Sequence, residues 1–180
     1  MREFKYYSTK TYGHNIGLSA VFRQPHADHS HCKFLHGYSL AFKFTFGCSD
    51  LDNKNWAVDF GGLKPLKQWL AEMFDHTYLV AEDDPELETF KELEQKNLCD
   101  LRIVPAVGCE RFAEMVFDKA QDIISTMYGD RCWVQECTVR EHAHNSATVE
   151  RNDHVKFTYS DDGPDFEDTD AIADVFDSLK

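Results

Sequence analysis

Tyr38, Leu40, Phe42, Phe44 and Phe46 share one parity, while Ser39, Ala41, Lys43 and Thr45 hold the other. An apolar period of two demands an extended strand with one buried face, because side chains alternate across a pleated backbone. A strand this apolar needs paired neighbours and a layer packed over it, so it excludes an all-helical chain. Upstream, Ile16, Leu18, Ala20 and Phe22 alternate with Gly17, Ser19 and Val21 and predict a second strand, continuing one begun near Phe4. Between the two, Arg23 to His31 (RQPHADHSH) is polar, aperiodic and proline-containing, which reads as a histidine-rich loop.

Helical spacing takes over downstream. Leu63, Leu66, Leu70, Met73 and Phe74 predict an amphipathic helix with Pro65 in its first turn. Residues Ala81 to Asn97 read as a loop and a short acidic surface helix, and Leu101 to Val104 as a short strand. Phe112, Val116, Phe117, Ala120, Ile123, Ile124 and Met127 mark a second main helix, stopped by Gly129. From Cys132 to Arg140 a strand is expected to place Trp133, Cys137 and Val139 on one face, with Glu141 at its end on the same parity, and Ala147 to Tyr159 supply a last strand or hairpin.

This order predicts an α+β fold: an antiparallel sheet with two main helices packed on one face, the other face requiring a neighbour. Residues 1–160 are expected to form a single domain. Residues 161–180 are an acidic tail in which Ile172, Val175, Phe176 and Leu179 recur at helical spacing, the pattern of a docking helix.

A net charge of −13 argues against nucleic acid or an anionic membrane as partner, since both require a basic surface. No stretch approaches the ~20 apolar residues of a membrane span, and the N-terminus lacks a signal-peptide pattern, so a cytoplasmic protein is expected. Cys32, Cys48, Cys99, Cys109, Cys132 and Cys137 contain no CxxC pair, which fits reduced thiols, most of them buried as small hydrophobes.

Chemistry concentrates in HSHCKFLHGY, from His29 to Tyr38. Cys32 lies between His31 and Lys33, where positive charge favours a thiolate, although an inert core thiol is the competing reading. Asp75 followed by His76 offers a carboxylate beside an imidazole, or simply a surface helix terminus. Glu110 and Glu141 sit at element ends beside apolar faces, where a carboxylate needs a donor such as a guanidine-like ligand edge, although a helix N-terminus alone would also account for Glu110. His26, His29, His31 and His36 raise the question of a metal, but their spacing matches no standard zinc pattern, and solvent exposure explains the three in the loop.

Taken in order, these residues resemble the family of 6-pyruvoyltetrahydropterin and 6-carboxytetrahydropterin synthases, which has the T-fold (tunnelling fold). Cys32-Lys-Phe-Leu-His36-Gly37-Tyr38 matches its CxxxHGH motif except at the last position. Asp59-Phe60 and Asp75-His76 match its acidic pairs before and after the first helix, and Val107-Gly108-Cys109-Glu110 echoes a segment with glycine in place of threonine. The resemblance implies that Cys32 is the catalytic base, Asp75 and His76 the acid/base couple, and Glu141 the pterin anchor supported by Glu110. It implies a carbon-oxygen/carbon-carbon lyase acting on 7,8-dihydroneopterin triphosphate in the 7-deazapurine (queuosine precursor) pathway. The alternatives are a non-catalytic or metal-free pterin-binding protein and a dihydroneopterin aldolase-like lyase. A homo-oligomer is implied too, trimeric or hexameric, with sheets closed into a barrel and sites between subunits.

The family's zinc takes one histidine from the first strand and two from HGH, whereas here those positions are Phe22, His36 and Tyr38. Two outcomes follow: loss of the metal, which this reading favours, or zinc held by His36 with loop histidines such as His31 and His29. Arg23, Lys33 and Arg140 are candidates for triphosphate contacts.

Overall fold

A computed structural model describes residues 5–152, so the expected tail at 161–180 and the domain end at 160 lie outside the described residues. Seven strands and three α-helices follow in the order β1 (Tyr6–Tyr12), β2 (Leu18–Phe22), β3 (His36–Cys48), α1 (Lys64–Phe74), β4 (Thr77–Ala81), α2 (Leu87–Gln95), β5 (Leu101–Val104), α3 (Cys109–Tyr128), β6 (Cys132–His142) and β7 (Asn145–Glu150).

The alternating segment is the hub of the sheet. β3 pairs antiparallel with β2 through its first residues, Phe22 opposite His36 and Leu18 opposite Leu40, and with β1 through its second half, Tyr12 opposite Phe42. On its other edge it pairs with β6, which carries β7, and the sheet order is β5-β4-β2-β3-β6-β7. The start near Phe4 is therefore a separate strand, β1, divided from β2 by a short turn at His14–Ile16 and Gly17 with φ 84°.

The α+β architecture is as expected, but the sheet is mixed, because β4 lies parallel to β2 and β5 parallel to β4. α1 carries the chain back along the sheet, so Thr77 enters beside Ala20 in the direction of β2, the geometry of a crossover connection. The acidic segment forms α2, which covers a small cluster of Tyr78, Val80, Phe90 and Leu101.

One face of the sheet carries the main core. Leu40, Phe42, Phe44 and Phe46 are fully buried with Leu66, Leu70 and Phe74 of α1 and Phe112, Val116, Ala120 and Ile124 of α3. Rings run continuously through it: Phe42 lies 4.9 Å from Phe74, Phe74 5.6 Å from Phe112, and Phe112 5.1 Å from Phe22 at the end of β2. Cys48, Cys109, Cys132 and Cys137 are buried, as expected for most of the cysteines, and burial first of all pushes the Cys137 thiol up to about 12.

One expectation for β6 fails. Thr45 pairs with Glu136 but Phe46 with Val134, so Gln135 is an extra residue and the parity reverses there. Val134, not Trp133, is fully buried with Cys137 and Val139. Trp133 lies instead over Gly47, where an added Cβ would fall 2.2 Å from the indole. Glu141 falls at a second irregularity, where the pairing with β7 shifts between Arg140 and His142, and is half-buried near Tyr38 and Cys109.

Candidate active site

The loop after β2 is tied shut at its neck. Arg23 donates to Asp84 at 2.9 and 2.5 Å, and the Gln24 amide donates to the Cys32 carbonyl at 2.7 Å. Ser30 then caps a single 3-10 turn, His31–Lys33, by accepting from the Cys32 amide at 3.1 Å. These bonds fix the backbone of Cys32 while its side chain stays exposed. The loop histidines turn elsewhere: His26 pairs with Asp83 at 2.9 Å and the His31 ring stacks on Phe34 at 6.3 Å.

Strand register assembles the next part. Phe22 faces His36 with ring centres 4.9 Å apart, and Tyr38 lies 5.6 Å from His36, 6.1 Å from Phe22 and 5.9 Å from His142. His36 Nδ1–H donates to the Phe34 carbonyl at 2.8 Å, which sets the tautomer and leaves Nε2 as the free nitrogen. The Tyr38 hydroxyl is raised above its ordinary value by burial and then by the negative charge of Glu141, with Cys32 and Cys109 also close enough to act on it. One phenol thus stands among the predicted base, the predicted anchor and a second cysteine.

That second cysteine opens α3. Burial, reinforced by the charges of Glu141 and Glu110, pushes the Cys109 thiol up to about 12, so it stays protonated beside the Glu141 carboxylate. Gly108 before it has φ 114°, and an added Cβ would meet Gln24 Nε2 at 2.6 Å, so this position, where the family pattern has threonine, needs glycine here. Glu110 lines an open cavity of about 340 Å³ with Gln24, His26, Asp83 and Arg111. Sequence reasoning missed Gln24, His142 and the nearness of Cys109 to Glu141; the departure from the motif at Gly108 is the signal that marks the close approach of Gln24.

Asp75 and His76 form a genuine couple, with His76 Nδ1 and Asp75 Oδ1 at 2.6 Å. His76 takes φ 59° and its amide donates to the Ser19 carbonyl at 2.8 Å, fixing the pair beside the start of β2. Ser19 precedes Phe22 by three residues, about 10 Å along a strand, so the couple stands away from the Cys32 end of β2. Its imidazole is 87% exposed. Tyr38 and Cys109 both lie in the field of Glu141, with Cys32 acting on Tyr38 and Glu110 on Cys109, while Asp75–His76 is tied to Ser19 nearer the start of β2.

The triphosphate candidates also part company. Arg23 is committed to Asp84, whose side chain is 1% exposed. Arg140 points to the opposite face of the sheet from Glu141 and lines a cavity of about 300 Å³ with His14 and Lys43. Lys33 remains beside Cys32, its ammonium 5.4 Å from the Phe34 ring.

A mixed sheet with two long helices on one face, and carboxylates gathered at the strand end beside a helix N-terminus, defines a T-fold protein. Solved structures share this fold: a Wolinella succinogenes protein described as uncharacterized superposes with a TM-score of 0.65 at 15% identity, covering 84% of this chain and all of that one. Plasmodium falciparum 6-pyruvoyl tetrahydropterin synthase does so with a TM-score of 0.60 at 12% identity, covering 82% and 98%. The profile of the 6-pyruvoyl tetrahydropterin synthase family matches residues 12–152, and the chain belongs to that family. It is 35% identical over 57 residues to the 6-carboxy-5,6,7,8-tetrahydropterin synthase of Rickettsia conorii, 31% of this chain and 41% of that protein. With the enzyme of the same name from Aquifex aeolicus it shares 28% identity over 90 residues, 48% of this chain and 55% of that protein. The chain thus spans about half or less of the curated relatives it matches.

The zinc implied by the resemblance does not fit these residues. Phe22 has no lone pair, Tyr38 is a phenol raised further from ionisation, and only His36 offers a nitrogen. His29, His31 and His36 do not replace the missing corners: among the described residues no group of three His, Cys, Asp or Glu side chains could hold a metal ion. The described residues also contain no helix long and apolar enough to cross a membrane.

Proposed function

We propose that this chain is a lyase of the 6-carboxytetrahydropterin synthase type, acting on 7,8-dihydroneopterin triphosphate with release of acetaldehyde and triphosphate, in the 7-deazapurine precursor pathway. The observation that carries this reading is the convergence of Glu141 and Glu110 on Cys109, within reach of the Tyr38 and Cys32 side chains. A pterin presents its 2-amino group and N3–H on one edge, and a carboxylate at a strand end is the matching acceptor pair.

With the ring anchored at Glu141, the substrate side chain extends toward Cys32, whose Sγ takes the proton from the side-chain carbon. The Asp75–His76 couple then exchanges protons with the side-chain hydroxyls. Because the couple stands outside the Cys32 region of its own chain, it serves the site of a neighbouring copy, in a homo-oligomer whose active sites lie between subunits. The exposed imidazole and the unpaired outer edges of β5 and β7 among the described residues are consistent with such neighbours.

The test is incubation of the purified full chain with 7,8-dihydroneopterin triphosphate, reading 6-carboxytetrahydropterin and acetaldehyde. Product formation that disappears in Cys32→Ala supports the assignment. Tight pterin binding without product shifts the chain to a binding protein, and glycolaldehyde released from dihydroneopterin shifts it to an aldolase.

A further inference from the structure

Phe22, His36 and Tyr38 form a closed triangle, with centre separations of 4.9, 5.6 and 6.1 Å. Three imidazoles bound to one tetrahedral ion at the usual metal–nitrogen length would stand with ring centres about 5 Å apart. The triangle therefore has the dimensions of a three-histidine cradle, while its corners have other chemistry. Phe22 is 1% exposed and sits edge-on to Phe112 at 5.1 Å, so this corner belongs to the core and cannot swing aside for a substitute ligand. Phe34 fixes the His36 ring through Nδ1, which leaves Nε2 free. Tyr38 leans on His142 and shares its surroundings with Glu141, Cys32 and Cys109.

We infer that the triangle of Phe22, His36 and Tyr38 is a metal cradle converted to a hydrogen-bonding one: it holds no divalent ion, and the Tyr38 hydroxyl, with His36 Nε2 beside it, contacts the side-chain oxygens of a bound pterin. The ligand contact rests on the pterin reading above; the metal statement does not. A phenol donates one hydrogen bond to a ligand hydroxyl, and an imidazole nitrogen accepts one from it, so the pair selects a hydroxylated side chain over an alkyl one.

Metal analysis of the full chain, produced with zinc supplementation, tests the first statement. The natural chain is expected to carry far less than one zinc per chain, and the Phe22→His/Tyr38→His variant about one, lost again when His36→Ala is added. The single Tyr38→His variant leaves Phe22 in the core and is expected to gain a cobalt(II) absorption band that the natural chain lacks. About one zinc on the natural chain, removed by His36→Ala, would overturn the inference, as would a folded double variant without metal.

Binding of 7,8-dihydroneopterin and of 6-methylpterin tests the second. Tyr38→Phe is expected to weaken the hydroxylated pterin about tenfold and to leave the methylated one unchanged. Equal effects on both would remove Tyr38 from the side-chain contact. If neither pterin binds the natural chain, the proposed function falls, and the ligand-contact half of the inference with it, while the metal measurements still decide the nature of the cradle.

Discussion

Cys109 is a small side chain with a large consequence, because its protonated thiol lies in the fields of two carboxylates, Glu110 and the proposed pterin anchor Glu141. Cys109→Ala removes that thiol, and pterin affinity measured by calorimetry is expected to fall about fivefold, with Cys109→Ser restoring most of it. Asp84 holds the loop on which Cys32 depends. Burial alone would raise its carboxyl, but the hydrogen bond from Arg23, the Glu86 amide and the charge of Arg23 outweigh that and hold it below the usual carboxylate range. A carboxyl depressed by folding stabilises the native state above its unfolded pKa near 4 and ceases to do so as pH falls through the lower folded value. Asp84→Asn should therefore cost about 3 kcal/mol at pH 7 in denaturant unfolding, as expected for a buried charge stripped of its partner, and much less once pH has fallen through the depressed folded value. Cys32, Glu110 and Glu141 stand out in the sequence as candidates because a motif order carries them. The pairing of Arg23 with Asp84 was not legible, since the partner is 61 residues away and no local spacing announces it.

At the scale of elements, what the sequence spells out locally is what the structure repeats. β3, α1 and α3 follow from period two and period 3.6, with Pro65 and Gly129 marking ends as expected. The bulge at Gln135 was not legible, because one extra residue leaves the alternation intact on either side and only pairing with β3 exposes it. Parallel entry of β4 was hidden for a similar reason: it depends on where α1 returns the chain. Gly47 now explains the position of Trp133, and Gly47→Val is expected to drive the indole off the sheet, at about 1–3 kcal/mol in unfolding and with a shift in tryptophan fluorescence. Phe112 links the core to the site through Phe22 and Phe74. Truncation to alanine should cost about 3–5 kcal/mol and loosen the end of β2 on which His36 and Tyr38 are registered, measurable as faster amide exchange at Phe22.

For the whole molecule, the decisive fact is the separation between the two halves of the expected catalytic set. Cys32 stands beyond the end of β2, whereas His76 is bonded to Ser19 near its start, with an imidazole that is 87% exposed. A proton-transfer couple that exposed works poorly in water and well when a neighbouring surface closes over it. Among the described residues β1 pairs with β3, and most of its residues are exposed or half-buried. If each site takes Cys32 from one copy and Asp75–His76 from the next, two inactive variants must rescue each other. Cys32→Ala and His76→Ala, dissociated together and reassembled in equal amounts, are expected to recover about a quarter of the natural activity per chain, because random pairing leaves that share of sites with both groups intact. Separately reassembled variants serve as the baseline. Mixed oligomers, verified by mass spectrometry, that stay at that baseline would place both groups in one chain's site and remove the neighbour from the chemistry.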